Sequence, residues 1–136
     1  MNLDIYLKKV YTVAFRLTGD ENKALSLAQN AIGMNVSSMW DKVDSTTFAV
    51  SAMEVCRLFL EEMHHTMHSG FEMGENMSSF QDALMCLNPL GRTAVVWRDV
   101  LGRSLDEICA MGYNKNELYY ELNRGRRSIK SMVKDC

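Results

Sequence analysis

Apolar residues recur at steps of three and four along most of this 136-residue chain, and its single proline is Pro89. No stretch alternates β-branched and polar residues as a half-buried strand does, so the pattern predicts an all-α fold. The first helix is expected over about 3–17, with Ile5 or Tyr6, Val10, Val13, Ala14 and Leu17 on one face. Gly19 supplies a left-handed stop and Asp20 a cap for the next helix. That second helix gathers Ala24, Leu27, Ala28, Ala31 and Ile32 and is expected to run to about Val36. After a polar joint, a third helix capped by Asp44 or Ser45 carries the stripe Phe48, Ala52, Val55, Phe59 and Met63. Met53, Cys56 and Leu60 broaden that stripe.

Periodicity fails between His64 and Ser79, where Gly70 and Gly74 fall. This break predicts two small helical domains, 1–66 and 80–136, joined by a linker at 67–79. Beyond it, Phe80, Ala83, Leu84 and Leu87 restart the pattern. Asn88-Pro89 then opens a helix, since proline in a first turn sacrifices no needed hydrogen bond. Leu90, Ala94, Val95, Trp97 and Leu101 continue it to Gly102. Ser104 with Glu107 has the spacing of a capping box, opening a short helix that ends at Gly112. Asn114 caps a last helix with Leu118, Leu122, Gly125, Ile129 and Val133 on one side. A short helix, a glycine-containing turn and a longer capped helix make a helix-turn-helix, the device that lays its second helix in a DNA groove.

The formal net charge is -2, but its distribution is uneven. Residues 1–65 hold 6 basic against 8 acidic side chains, residues 66–91 hold none against 3, and residues 92–136 hold 9 against 6. A local basic surplus can bind phosphate even on an acidic chain. On charge alone, a solvated helix face accounts for it equally well.

Taken in order along the chain, these motifs resemble the extracytoplasmic-function branch of the sigma-70 family of transcription initiation factors. Leu17, Thr18, Gly19, Asp20, Ala24, Leu27 and Gln29 match its first-domain motif. Leu87, Pro89, Arg92, Gly102, Ser104, Glu107, Ile108, Gly112, Leu122, Arg124 and Arg126 match the fourth conserved region. The resemblance implies a first domain that docks on RNA polymerase core through its second helix, at Ser26, Gln29 and Asn30. It implies a second domain that reads promoter DNA through helix 115–133. The candidate DNA contacts there are Lys115, Asn116, Tyr119, Tyr120, Asn123, Arg124 and Arg127.

Several contact positions depart from the family's pattern. Leu25 and Ser26 stand where it has an acidic pair, and Asn30 replaces a frequent acid, which removes charge-assisted pairing to a basic partner. Ser51 lies near the place of an expected aromatic residue. Glu61 and Glu62 end the third helix, where positive charge would follow DNA, and carboxylates beside phosphates repel them. Glu117 and Glu121 likewise enter the recognition helix, although a glutamate can accept from a cytosine amino group. Scaffold positions match and contact positions diverge. The leading expectation is a sigma factor that binds polymerase and directs initiation. The alternative is a sigma-like protein that binds an anti-sigma factor or itself without reading DNA, and a bare helical DNA-binding module ranks third.

No apolar run approaches a membrane span and no signal-peptide core is visible, so a cytoplasmic location is expected. Cys56, Cys86, Cys109 and Cys136 show no paired spacing and read as reduced thiols. Glu61, His65 and His68, or His64 and His68, could share a helical face suited to zinc, but no fourth ligand or thiol lies near them in sequence, so neither metal nor cofactor is expected. The 11 methionines read mainly as core and linker filling. No arrangement of nucleophile, base and orienting group supports an enzyme.

Overall fold

The computed structural model describes residues 3–33, 45–63 and 79–133, and all regular structure among them is helical. The chain divides into two compact units, Met1–Glu61 and Glu62–Cys136. The proposed linker falls outside the described residues apart from Ser79, as do the three histidines and most of the methionine cluster.

In the first unit, α1 (Leu3–Thr18) packs on α2 (Glu21–Gly33). Gly19 between them has φ 66°, the left-handed backbone a side chain would strain. Its amide donates to the Phe15 carbonyl at 2.8 Å, and Asp20 Oδ1 accepts from the Lys23 amide at 2.9 Å. The glycine stop and aspartate cap therefore operate as the sequence predicts. Of the two candidates at the head of α1, Tyr6 is buried and Ile5 is exposed. The described part of α2 ends at Gly33, and residues 34–36 lie outside it.

The third helix, α3 (Ser45–Glu62), corrects the expected stripe. Its buried residues are Ser51, Ala52, Val55, Cys56, Phe59 and Leu60, while Phe48, Met53 and Met63 are only partly covered. Ser51 is interior because its hydroxyl hydrogen-bonds the Tyr6 hydroxyl, tying α3 to α1. Two hydroxyls that satisfy each other can be buried where either alone would be costly. Lys9 of α1 also stands over the Phe48 ring, 5.9 Å from its centre.

This interior makes the first unit sensitive to alkali. Burial pushes the Cys56 thiol up to about 12, and burial also raises the Tyr6 phenol, with the Ser51 bond opposing. Both groups hold their protons longer in the folded state than in the unfolded chain. Their stabilisation is therefore complete below the unfolded pKa and is lost as pH rises through the folded one. Chemical denaturation at stepped pH is expected to show stability falling above pH ~9, by up to about 1.4 kcal/mol per pH unit for each such proton. Cys56→Ser removes the lower-pH part of that fall. A pH-independent midpoint between about 9 and 11 would refute the assignment.

The second unit contains α4 (Phe80–Met85), α5 (Pro89–Val95) with a π-helical turn at Val96–Val100, α6 (Asp106–Cys109) and α7 (Lys115–Val133). Ser79 caps α4 by accepting from the Asp82 amide at 3.0 Å. Asn88 caps α5 by accepting from the Gly91 amide at 2.7 Å, with Pro89 in the first turn. The π turn carries Trp97 fully inward, where its indole N–H donates to the Ser104 carbonyl at 2.9 Å. Gly102, at φ 69°, ends that segment. The α4, α5 and α6 segments all pack on α7, with Leu84, Leu90, Ile108, Leu118 and Leu122 among the buried residues.

The predicted capping box at α6 does not form. Ser104 Oγ accepts from the Asp106 amide at 3.1 Å, but the Glu107 carboxylate is forked by Arg103, at 3.1 and 2.7 Å. A bidentate guanidinium is the stronger partner for a carboxylate than one backbone amide.

Candidate functional site

The segment expected to form a helix-turn-helix consists of α6, a turn through Gly112 at φ 107°, and α7. Asn114 Oδ1 accepts from the Glu117 amide at 3.0 Å and starts α7. Leu118, Glu121, Leu122 and Gly125 form the buried side of this helix. At 3.6 residues per turn, the line opposite that side passes through Asn116, Tyr120, Asn123, Arg127 and Lys130, with Tyr119 beside it. All six side chains are exposed, Tyr120 most among the large apolar ones at 59%.

The two glutamates that counted against DNA binding do not lie on that line. Glu121 is only 5% exposed, and its carboxylate accepts from Asn88 Nδ2 at 2.5 Å and from Arg124 Nη1 at 3.4 Å. One residue of α5's cap thereby holds the helix start with its carbonyl oxygen and α7 with its amide. The expectation that Glu121 could face a base is corrected: it is an internal strut. Glu117 is exposed on the flank shared with Arg124.

The other charges of this unit sort in the same way. Arg126, about 100° around the helix from Arg127, forks Asp99 of the π turn at 2.8 and 2.6 Å. Lys115 stands 3.7 Å from Asp106 and is largely solvated. Arg92 is 2% exposed. Its Nε donates to the Leu84 carbonyl at 3.1 Å, and its Nη2 to those of Leu87 and Met85 at 3.0 and 3.3 Å. Burial pulls its pKa down to about 10, still protonated at neutral pH. Among the described residues, the outer line of α7 thus carries positive charge at Arg127 and Lys130 and no carboxylate.

Of the seven predicted DNA contacts, Asn116, Tyr119, Tyr120, Asn123 and Arg127 share this face, while Lys115 and Arg124 flank it. Lys130 is missing from that set, although its spacing of three from Arg127 placed it on the same line. A cleft of about 60 Å³ lies beside Cys86, Asn88, Glu121, Arg124 and Ser128. It is too small for an organic ligand, whose pockets run to roughly 300 Å³ or more.

In the first unit, Ser26, Gln29 and Asn30 are all exposed on α2, and Leu25 beside them is 49% exposed. Asn22 is exposed among them, and Glu21 is exposed one turn before Leu25. At the end of α3, Arg57 Nη1 pairs with Glu61 at 2.6 Å, so the acidic pair there is partly neutralised internally.

No family model matches the chain, and no curated protein sequence does. Among solved structures, the chain is similar in fold to the sigma factor RpoE of Bartonella quintana, solved in complex with the anti-sigma factor NepR. The TM-score is 0.64 at 16% identity, over 98% of this chain and 94% of that one. The fold is therefore sigma-factor-like. No described helix is long and apolar enough to cross a membrane.

Proposed function

We propose that this chain is a sigma-type initiation factor, which joins RNA polymerase core through the exposed face of α2 and addresses promoter DNA through α7 in the cytoplasm. The observation that carries this reading is the clearing of carboxylates from the outer line of α7 by the inward turn of Glu121. A recognition helix needs polar side chains for base edges and cations for phosphates, and repelling acids out of the way. Asn116, Tyr120 and Asn123 supply the first, and Arg127 and Lys130 the second. On this reading the two domains are 1–66 and 80–136, with 67–79 as their linker.

The absence of carboxylates at Leu25, Ser26 and Asn30 supports a second reading, a sigma-like protein whose partner is an anti-sigma factor in place of polymerase. An exposed leucine beside amides and a hydroxyl offers a basic partner surface few carboxylates to pair with.

Tagged chain recovered from the native cell extract separates the two. Polymerase subunits, with initiation from a promoter when the chain is added to core enzyme, support the first. One small regulator without polymerase supports the second and sinks the first. Arg127→Ala is expected to weaken duplex binding by about three- to tenfold for all sequences alike. It should also flatten the dependence of log K on log salt by about 0.9, one phosphate contact. An unchanged slope would remove Arg127 from the interface.

A further inference from the structure

We propose that the duplex read by α7 has an adenine–thymine core, with Asn116 and Asn123 as its two adenine readers. The inference rests on the reading of α7 as a DNA-reading helix and adds which bases it selects. In the major groove guanine offers two acceptors side by side, and the side chain that meets both is arginine or lysine. Adenine offers an acceptor beside an amino donor, and the carboxamide of asparagine presents the matching donor and acceptor at one terminus.

The first turns of the outer line contain carboxamides and tyrosines and no cation. Lys115 lies off that line and near Asp106, Arg124 flanks it within reach of Glu121, and Arg126 is forked by Asp99. The cations on the line come later. At about 1.5 Å per residue, Arg127 is roughly 17 Å along the axis from Asn116, a distance that suits a phosphate beyond the bases being read. Asn116 and Asn123 are about 10.5 Å apart by the same rise, or roughly three base steps of about 3.4 Å. Tyr120 stands between them, and its ring can cover the methyl group of a thymine, which cytosine lacks. Glu121 would have favoured cytosine by accepting from its amino group, but its carboxylate is interior and bonded to Asn88.

Selection of duplexes from a random library by the full chain, at about 50 mM salt where phosphate contacts are strong, tests this directly. The enriched motif is expected to contain A·T pairs at two positions about three steps apart. Asn123→Ala is expected to lower affinity for the selected duplex about tenfold and to abolish the preference at one of those positions only, with Asn116→Ala acting at the other. Asn123→Arg is expected to move that position toward guanine. Both side chains are exposed, and the circular dichroism of each variant checks that the fold is kept. A guanine-rich motif, or an A·T motif that the asparagine substitutions leave unchanged, overturns this inference and leaves α7 as a DNA-binding helix. Failure to enrich any duplex at low salt overturns both.

Discussion

Replacing Arg92 with methionine is expected to destabilise the second unit by about 3 kcal/mol, enough to lower a urea midpoint by roughly 2–3 M. The guanidinium lies inside the unit with carbonyls as its partners. Three of them, from Leu84, Met85 and Leu87, turn toward it where α4 ends and the chain bends into α5. The last carbonyls of any helix lack intrahelical donors, and α4, at six residues, is too short to leave many others. Methionine keeps the length and apolar stem of the side chain and removes its donors, so the loss reports the hydrogen bonds rather than a cavity. The figure is kept well below three full charge-assisted bonds because removing a buried cation also restores its desolvation cost. Arg92→Lys is expected to recover less than half of the difference, since an ammonium cannot reproduce the planar fork. Unfolding followed by the helical signal gives both values. A methionine variant within about 0.5 kcal/mol of the parent would mean that water satisfies these carbonyls equally well.

Gly125→Leu is the second large effect, at about 3 kcal/mol. A Cβ at position 125 would lie 3.1 Å from Leu87 Cδ1 and 3.1 Å from Val95 Cγ2. The approach of α7 to α5 depends on the missing side chain there; across the interface a Cβ at Gly91 would lie 3.4 Å from the Glu121 carbonyl oxygen, an ordinary contact. A leucine must separate the helices or force its neighbours off their rotamers, and overpacking typically costs about 1–3 kcal/mol. Gly125→Ala is expected to be nearly neutral. Its single carbon presses on Leu87, which can turn, and on stiffer Val95. Against this it gains the roughly 1 kcal/mol by which alanine exceeds glycine in a helix. Comparing the two variants separates space from propensity. A leucine variant as stable as the alanine one would show that α7 can shift away without loss.

Local signals were the legible part of this chain. Gly19 with Asp20, Asn88 with Pro89, and Asn114 each act through neighbours within four residues, and each stop or cap forms as its chemistry dictates. Glu107 shows the limit of local reading. Its spacing from Ser104 is that of a capping box, yet Arg103 sits within reach and takes the carboxylate. Non-local pairings were hidden. Ser51 enters the core because of Tyr6, 45 positions away, and Glu121 because of Asn88, 33 positions away. A faint trace of the second was present, since residue 121 falls between Leu118 and Leu122 on the buried side of the helix. Asn88, whose cap uses only its oxygen, had an amide to spare. The same spacing that buries the leucines also buries Glu121, so its charge does not face outward.

The indole of Trp97 offers an experimental convenience. It is the second unit's only tryptophan, it is fully enclosed, and Arg103 stands 5.5 Å from the ring centre. With Trp40 changed to phenylalanine, tryptophan emission from the whole chain would come from this one chromophore, inside the unit that carries α7. Its spectral position and quenching would then monitor that unit in real time, without labelling, while duplexes or protein partners are titrated in.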